Sequence, residues 1–171
     1  GADVHLNDQT IPQLYGGKVT TIGDKGRCLL LEFPFMGIPY GAEEVLHQLI
    51  STGIIPIISH PERNVEVNQN PKRYHEIIRM GCLGQVTAMS LTDGFGPGSK
   101  RLAERLLSKG LIHIIASDAH STDGRPPVLS PAARAAAKIV GEKEALRMVT
   151  DHPQAILEGR RPDVREPKPL G

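Results

Sequence analysis

Apolar residues along this chain fall in short runs that end in polar chemistry, and helical patterns fill the intervals between them. Four runs read as buried strands: residues 27–33, 54–60, 82–87 (the weakest) and 111–118. In 41–52, Val45, Leu46, Leu49 and Ile50 recur at helical spacing, and Gly53 follows as a stop. Residues 71–80 open on Asn70-Pro71, a favourable start, and place Tyr74, Ile77 and Ile78 on one face. Leu102, Leu106 and Leu107 mark a helix over 99–109, with Ser99 expected as its cap and Gly110 as its stop. The remainder predicts an Ala-rich helix from Ser130, a second near Glu142 and a third after Asp151, at Pro153. Apolar strands alternating with helices indicate parallel βα units, an α/β fold.

Composition narrows the class. The 171 residues suit one domain, expected over 1–159, with a charged, Pro-rich tail over 160–171 expected to be flexible. Lys and Arg number 20 against 19 Asp and Glu, so nothing suggests a nucleic-acid partner held by bulk charge. No apolar stretch approaches the ~18 residues of a membrane span. Cys28 and Cys82 sit inside apolar segments, unpaired in pattern, as buried thiols of a reducing compartment do; a cytoplasmic setting is the expectation.

Metal-competent side chains stand where the apolar runs end. Glu32 closes Leu-Leu-Leu-Glu, His60 closes Ile-Ile-Ser-His, and Asp118 and His120 follow Ile-Ile-Ala-Ser two residues apart. In a parallel β/α barrel all strand C-termini meet on one rim, so residues distant in sequence would converge there. Taken singly, a Glu at a strand end is usually solvated, and a His before Pro often serves only its turn. Four such residues at three strand ends are together harder to explain that way. Carboxylates and imidazoles without thiolate suit Mn2+, Fe or Zn2+ in a hydrolytic site. Arg63 lies three residues after His60 and Arg125 five after His120. A guanidinium grips phosphate oxygens through two parallel bonds, so arginines beside metal ligands suggest phosphate chemistry, although a lone loop arginine is more often a solvated charge. His47 and His75 are expected on helix surfaces, His113 inside a strand, and His5 and His152 stay undecided.

Several blocks carry a resemblance: Leu30-Leu31-Glu32-Phe33-Pro34, Ser59-His60-Pro61-Glu62-Arg63, Gln85-Val86-Thr87-Ala88 with Ser90-Leu91, and Ala116-Ser117-Asp118-Ala119-His120 followed by Arg125-Pro126-Pro127. In this order they resemble the PHP-type tyrosine phosphatases of bacterial capsule and exopolysaccharide biosynthesis (the CpsB/CapC type), over about residues 1–159. The resemblance implies a distorted, TIM-like β/α barrel and two or three metal ions, commonly manganese. It implies hydrolysis of phosphotyrosine on the cytoplasmic autokinase that controls polysaccharide synthesis, by attack of a metal-held hydroxide. Glu32, His60, Asp118 and His120 fall on the family's metal ligands, and Arg63 and Arg125 on its phosphate-holding arginines.

The chain also departs from that pattern. The family opens with a strand bearing His-x-His, and no His-x-His occurs here, so the barrel is expected to lack its first βα units and some metal positions to be short of ligands. Low activity of the isolated chain follows as an expectation. Gly1-Ala2-Asp3-Val4 aligns loosely with a segment that supplies a bridging Glu, which makes Asp3 a candidate ligand one methylene shorter. Asn64 stands where relatives usually carry Tyr, which bears on the pocket wall. An unpaired sheet edge would favour a homo-oligomer, and a monomeric mass by light scattering would count against it. Two other readings stay open: a PHP phosphoesterase acting on histidinol phosphate or a nucleotide, and a non-catalytic interaction module.

Overall fold

A computed structural model describes residues 2–170; Gly1 and Gly171, the outer ends of the expected domain and tail, lie outside them. Its centre is a five-stranded, wholly parallel sheet in the order β1 (Val4–His5), β2 (Cys28–Glu32), β3 (Ile55–Ser59), β4 (Leu83–Thr87) and β5 (Ile114–Ala116). The helices between and after them are α1 (Thr10–Tyr15), α2 (Ala42–Ser51), α3 (Val65–Gln69), α4 (Lys72–Arg79), α5 (Gly96–Ser108), α6 (Ser130–Val140), α7 (Glu142–Arg147) and α8 (Asp151–Leu157). The expected α/β class and parallel connectivity hold. The expected barrel does not close among the described residues: β1 and β5 are the two edges of an open sheet.

Strand alternation divides the core into two faces. Leu29 and Leu31 of β2, Ile58 of β3, Val86 of β4 and Ile115 of β5 join the large apolar cluster with Leu46, Leu49, Ile77, Leu102 and Leu106 from α2, α4 and α5. The opposite face carries Cys28, Ile55, Ile57, Leu83 and Ile114 and meets only Ile156 of α8 and a few partly buried neighbours. Burial on both faces explains why the strands read as continuous apolar runs and not as alternation. Both thiols are buried and free, and burial pushes that of Cys82 up to about 12.

Several boundaries differ from expectation. The run at 111–118 yields only the three residues of β5, because the chain leaves the ladder at Ser117 and Asp118 takes up φ +50°. Ser99 does not cap α5; the helix starts earlier, at Gly96-Pro97, and Ser99 lies in its first turn. Gly53 and Gly110 end their helices as expected, at φ +84° and +71°, a backbone region costly for other residues. His75 is not a surface residue: it is 8% exposed and its Nε2 donates to the Lys168 carbonyl at 3.1 Å. Among the described residues, the segment past Gly159 forms no helix or strand and touches the body at several points. Lys168 N–H donates to the Lys109 carbonyl at 2.8 Å, Pro162 is buried, and Val164 packs on the smaller core cluster.

His113 precedes β5 and is buried, with its Nδ1 accepting the Gly84 N–H at 3.0 Å. Burial first, then the neighbouring Arg161 and His152, lower its pKa to about 3. The folded protein therefore keeps this ring neutral, whereas the unfolded chain binds a proton below about pH 6.5. Its contribution is whole above that pH and is lost as pH falls toward 3, on the order of 3 kcal/mol by pH 4. Urea unfolding at pH 7 and pH 4 should show a smaller acid loss in His113→Asn, whose Oδ1 can accept the same N–H. Equal losses in the two proteins would contradict this assignment.

Candidate metal and phosphate site

The C-terminal ends of β2 and β3 and the residue that leads into β1 bring three side chains together. Asp3, just before β1, Glu32, the last residue of β2, and His60, just after β3, each offer a ligand atom within 4.8 Å of the others. His60 Nε2 lies 3.3 Å from Glu32 Oε1 and 3.5 Å from Asp3 Oδ2. The parallel register causes this convergence. His5 is level with Glu32, and Ser59 with Gln85, so neighbouring strands end on one rim. His60 is held at φ +30°, a left-handed conformation sparsely used by residues with a Cβ; such strain is commonly stored at functional sites. Burial, the largest single influence, and Arg63 oppose protonation of His60. The hydrogen bond to Asp3 and the charges of Glu62 and Asp3 outweigh them, and the pKa is raised. Two carboxylates and an imidazole at this spacing are a donor set that fits a divalent cation.

Arg63 closes the 3-10 turn Pro61–Arg63 that begins at His60, so the second half of the site is joined directly to the first. Asp118 Oδ2 accepts from Arg63 NH1 at 3.4 Å, from Thr87 Oγ1 at 3.3 Å and from Arg125 NH2. Both guanidinium groups lie over the Phe95 ring, at 4.8 Å for Arg63 and 5.4 Å for Arg125. Such cation–π contacts fix the planes of the two forks. His120 Nδ1 donates to the Asp118 carbonyl at 2.8 Å, which leaves its Nε2 lone pair directed elsewhere. Asp118 and His120 do not join the three-residue cluster. The aspartate's Oδ2 is engaged by the arginines, and its Oδ1 is 3.7 Å from His120 Nδ1.

All seven candidates thus lie on one rim, in two linked groups: Asp3, Glu32 and His60, and Arg63, Arg125, Asp118 and His120. Four participants escaped the sequence reading. His5 Nδ1 stands 3.4 Å from Glu32 Oε2, on a two-residue strand too short to leave a pattern. Phe95 underlies both arginines from a Gly-rich stretch that signals only a loop. Thr87 was visible as part of a family block, without a role. Glu62 is 1% exposed, and its Oε1 accepts from Ser90 Oγ at 2.7 Å and from Thr87 N–H at 3.1 Å. Burial raises its pKa, partly offset by those hydrogen bonds. This carboxyl clamps the Arg63 turn onto the loop after β4. Asn64 is likewise internal: it caps α3 by accepting from Val67 N–H at 3.0 Å, and its Nδ2 donates to the Pro34 carbonyl at 2.8 Å.

Comparison with known proteins gives consistent matches. A family model described as "Capsular polysaccharide synthesis, CpsB/CapC" matches residues 1–158. The CapC protein of Staphylococcus aureus is 40% identical over 129 residues, covering 75% of this chain and 50% of CapC. Tyrosine-protein phosphatase YwqE of Bacillus subtilis is 31% identical over 170 residues, covering 99% of this chain and 66% of YwqE. A crystal structure from work on YwqE and on CpsB of Streptococcus pneumoniae, described as metal-dependent tyrosine phosphatases, superposes with a TM-score of 0.94 at 30% identity. It covers 100% of this chain and 68% of the solved one. The chain spans half to two thirds of the length of the curated relatives it matches. The match over 1–158, together with these relatives, establishes that the chain belongs to the CpsB/CapC family of capsular polysaccharide synthesis.

Proposed function

We propose that this chain carries the metal- and phosphate-binding rim of a protein-tyrosine phosphatase that acts on the cytoplasmic, tyrosine-phosphorylated autokinase of polysaccharide synthesis. The observation that carries the reading is the continuity of the two groups. His60 faces Asp3 and Glu32, and three residues later Arg63 meets Arg125 over Phe95. Asp3, Glu32 and His60 would hold the cation, manganese by preference and Fe or Zn2+ by the same donor chemistry, with Asp118 and His120 serving further ions. A cation there supplies charge neutralisation of the phosphoryl group and activation of water. Arg63 and Arg125 orient the phosphoryl oxygens and stabilise the charge that shifts among them during transfer. Asp118 holds both forks toward one point, and the Glu62 clamp keeps the turn in place. No thiol takes part, in keeping with the buried Cys28 and Cys82. Five parallel strands in sequential order, with helices at their connections, support a further inference: the sheet is an arc of a distorted β/α barrel.

The test pairs binding with turnover. Manganese binding is measured on the 171-residue chain by calorimetry. Phosphate release from a phosphotyrosine peptide is measured on a form extended to the relatives' length. Glu32→Gln should weaken manganese by at least the roughly 10–100-fold typical of losing even an outer-shell partner of a metal site. Turnover should depend on the metal and be lost with chelator. Unchanged affinity in Glu32→Gln removes it from the ligand set. An extended form inert with manganese, iron and zinc would leave the interaction-module reading standing.

A further inference from the structure

We propose that Phe35 is a specificity-determining residue, the aryl wall against which the ring of a phosphotyrosine lies while Arg63 holds its phosphate. The proposal rests on the phosphatase reading above and adds to it what distinguishes an aryl from an alkyl phosphate. A small pocket at Glu32 and His60 adjoins, across Arg63, a cleft of about 450 Å3 lined also by Phe95 and the start of α5. Phe35, Arg63 and Asn64 line both. The path from the cation cluster to the wider cleft therefore runs between an arginine and an exposed aromatic ring, with a second aromatic on its far wall.

Phe35 is 68% exposed, yet its backbone is not loose. Its carbonyl accepts from Val65 N–H at 3.0 Å, and the preceding Pro34 carbonyl accepts from Asn64 Nδ2 at 2.8 Å. Farther along the loop, Glu66 Oε2 accepts the Ile38 N–H at 2.8 Å, and Arg73 donates to the Ile38 and Pro39 carbonyls at 2.8 and 2.7 Å. The ring is thus carried on a braced loop tied to Asn64, the residue next to Arg63. The backbone that carries the ring is fixed relative to the Arg63 turn before any ligand arrives, which lowers the ordering cost of using an exposed apolar side chain in recognition. Met36 and Tyr40, more exposed on the same loop, line neither cavity. A large apolar ring held out of the core on the same cavity wall as Arg63 matches a ligand with an aryl group one ester bond from phosphate. A serine phosphate has nothing to set against it.

NMR chemical-shift titrations of the full chain with inorganic phosphate, phosphoserine and phosphotyrosine test this. Phosphotyrosine should bind about tenfold more tightly than phosphoserine, the scale of one aromatic pairing. Phe35→Ala should abolish that preference while leaving phosphate affinity and thermal stability unchanged, and Phe35→Tyr should retain it. Phosphate binding without a phosphotyrosine preference, or a preference that survives Phe35→Ala, overturns the proposal and leaves the phosphatase reading intact. Absence of phosphate binding altogether overturns that reading, and the role of Phe35 with it.

Discussion

In a form extended to the relatives' length, replacing Arg125 with alanine is expected to lower kcat/KM on a phosphotyrosine peptide by roughly 100- to 1,000-fold, the usual cost of losing one donor aimed at developing charge. Arg63→Ala should cost a similar factor. Arg63 and Arg125 are only 30% and 24% exposed as side chains and share Asp118 Oδ2, so their charges act in a partly dry site where each counts for more than in water. Because they converge on one point, the double variant should lose less than the product of the single losses. Lysine should restore little at either position. An ammonium lacks the planar fork, and it would not lie flat on Phe95 as the guanidinium does. Melting temperature and manganese binding at the Asp3–Glu32–His60 cluster are the controls, since neither arginine belongs to that cluster. A loss below tenfold in both single variants, with metal retained, would remove the arginines from transition-state stabilisation.

The largest expected effect on stability is at Gly84, near the start of β4. A Cβ there would come within 2.3 Å of the Leu111 carbonyl oxygen and within 2.3 Å of the Tyr74 hydroxyl. Neither obstacle can retreat cheaply. Tyr74 is wholly buried and donates to the same Leu111 oxygen at 3.1 Å, while the Gly84 carbonyl accepts the His113 N–H at 2.8 Å. One added methyl group must therefore separate β4 from the segment leading into β5. Gly84→Ala should destabilise by about 3–5 kcal/mol, at or beyond the upper end of overpacking costs and among the larger point-mutation effects. For a chain of this length that is a drop in Tm of roughly 10 °C or more. Calorimetric melting reads it directly. Adding Tyr74→Phe should recover part of the loss by removing one of the two clashing atoms. A wild-type Tm in Gly84→Ala would mean that the strand has room the structure does not show.

The contrast between what was legible in the chain and what was not follows from range. Four of the five strands, the helices α2, α4, α5, α6, α7 and α8, and the glycine stops at Gly53 and Gly110 were readable, because periodicity and turn chemistry are local properties. Elements too short to carry a period were not: two-residue β1, α1 over Thr10–Tyr15, and α3 over Val65–Gln69. The shortening of the last strand to Ile114–Ala116 depended on where β4 stops offering partners, and the burial of His75 on a tail that returns from the far end of the chain. Neither is encoded nearby.

The same division runs through the site. Residue types at strand ends were enough to single out Glu32, His60, Asp118 and His120, with Arg63 and Arg125 beside them, and to suggest metal-assisted phosphate chemistry; Asp3 entered only through the family resemblance. Which of them meet was decided only by the packed sheet. Register aligned β1, β2 and β3 so that Asp3, Glu32 and His60 share one cluster, while the turn after β5 aimed Asp118 at two arginines. Phe95, Glu62 and the braced loop of Phe35 gained their places from contacts across about 25 to 32 residues, a range at which neighbouring sequence says nothing and closeness is set by how strands and loops pack.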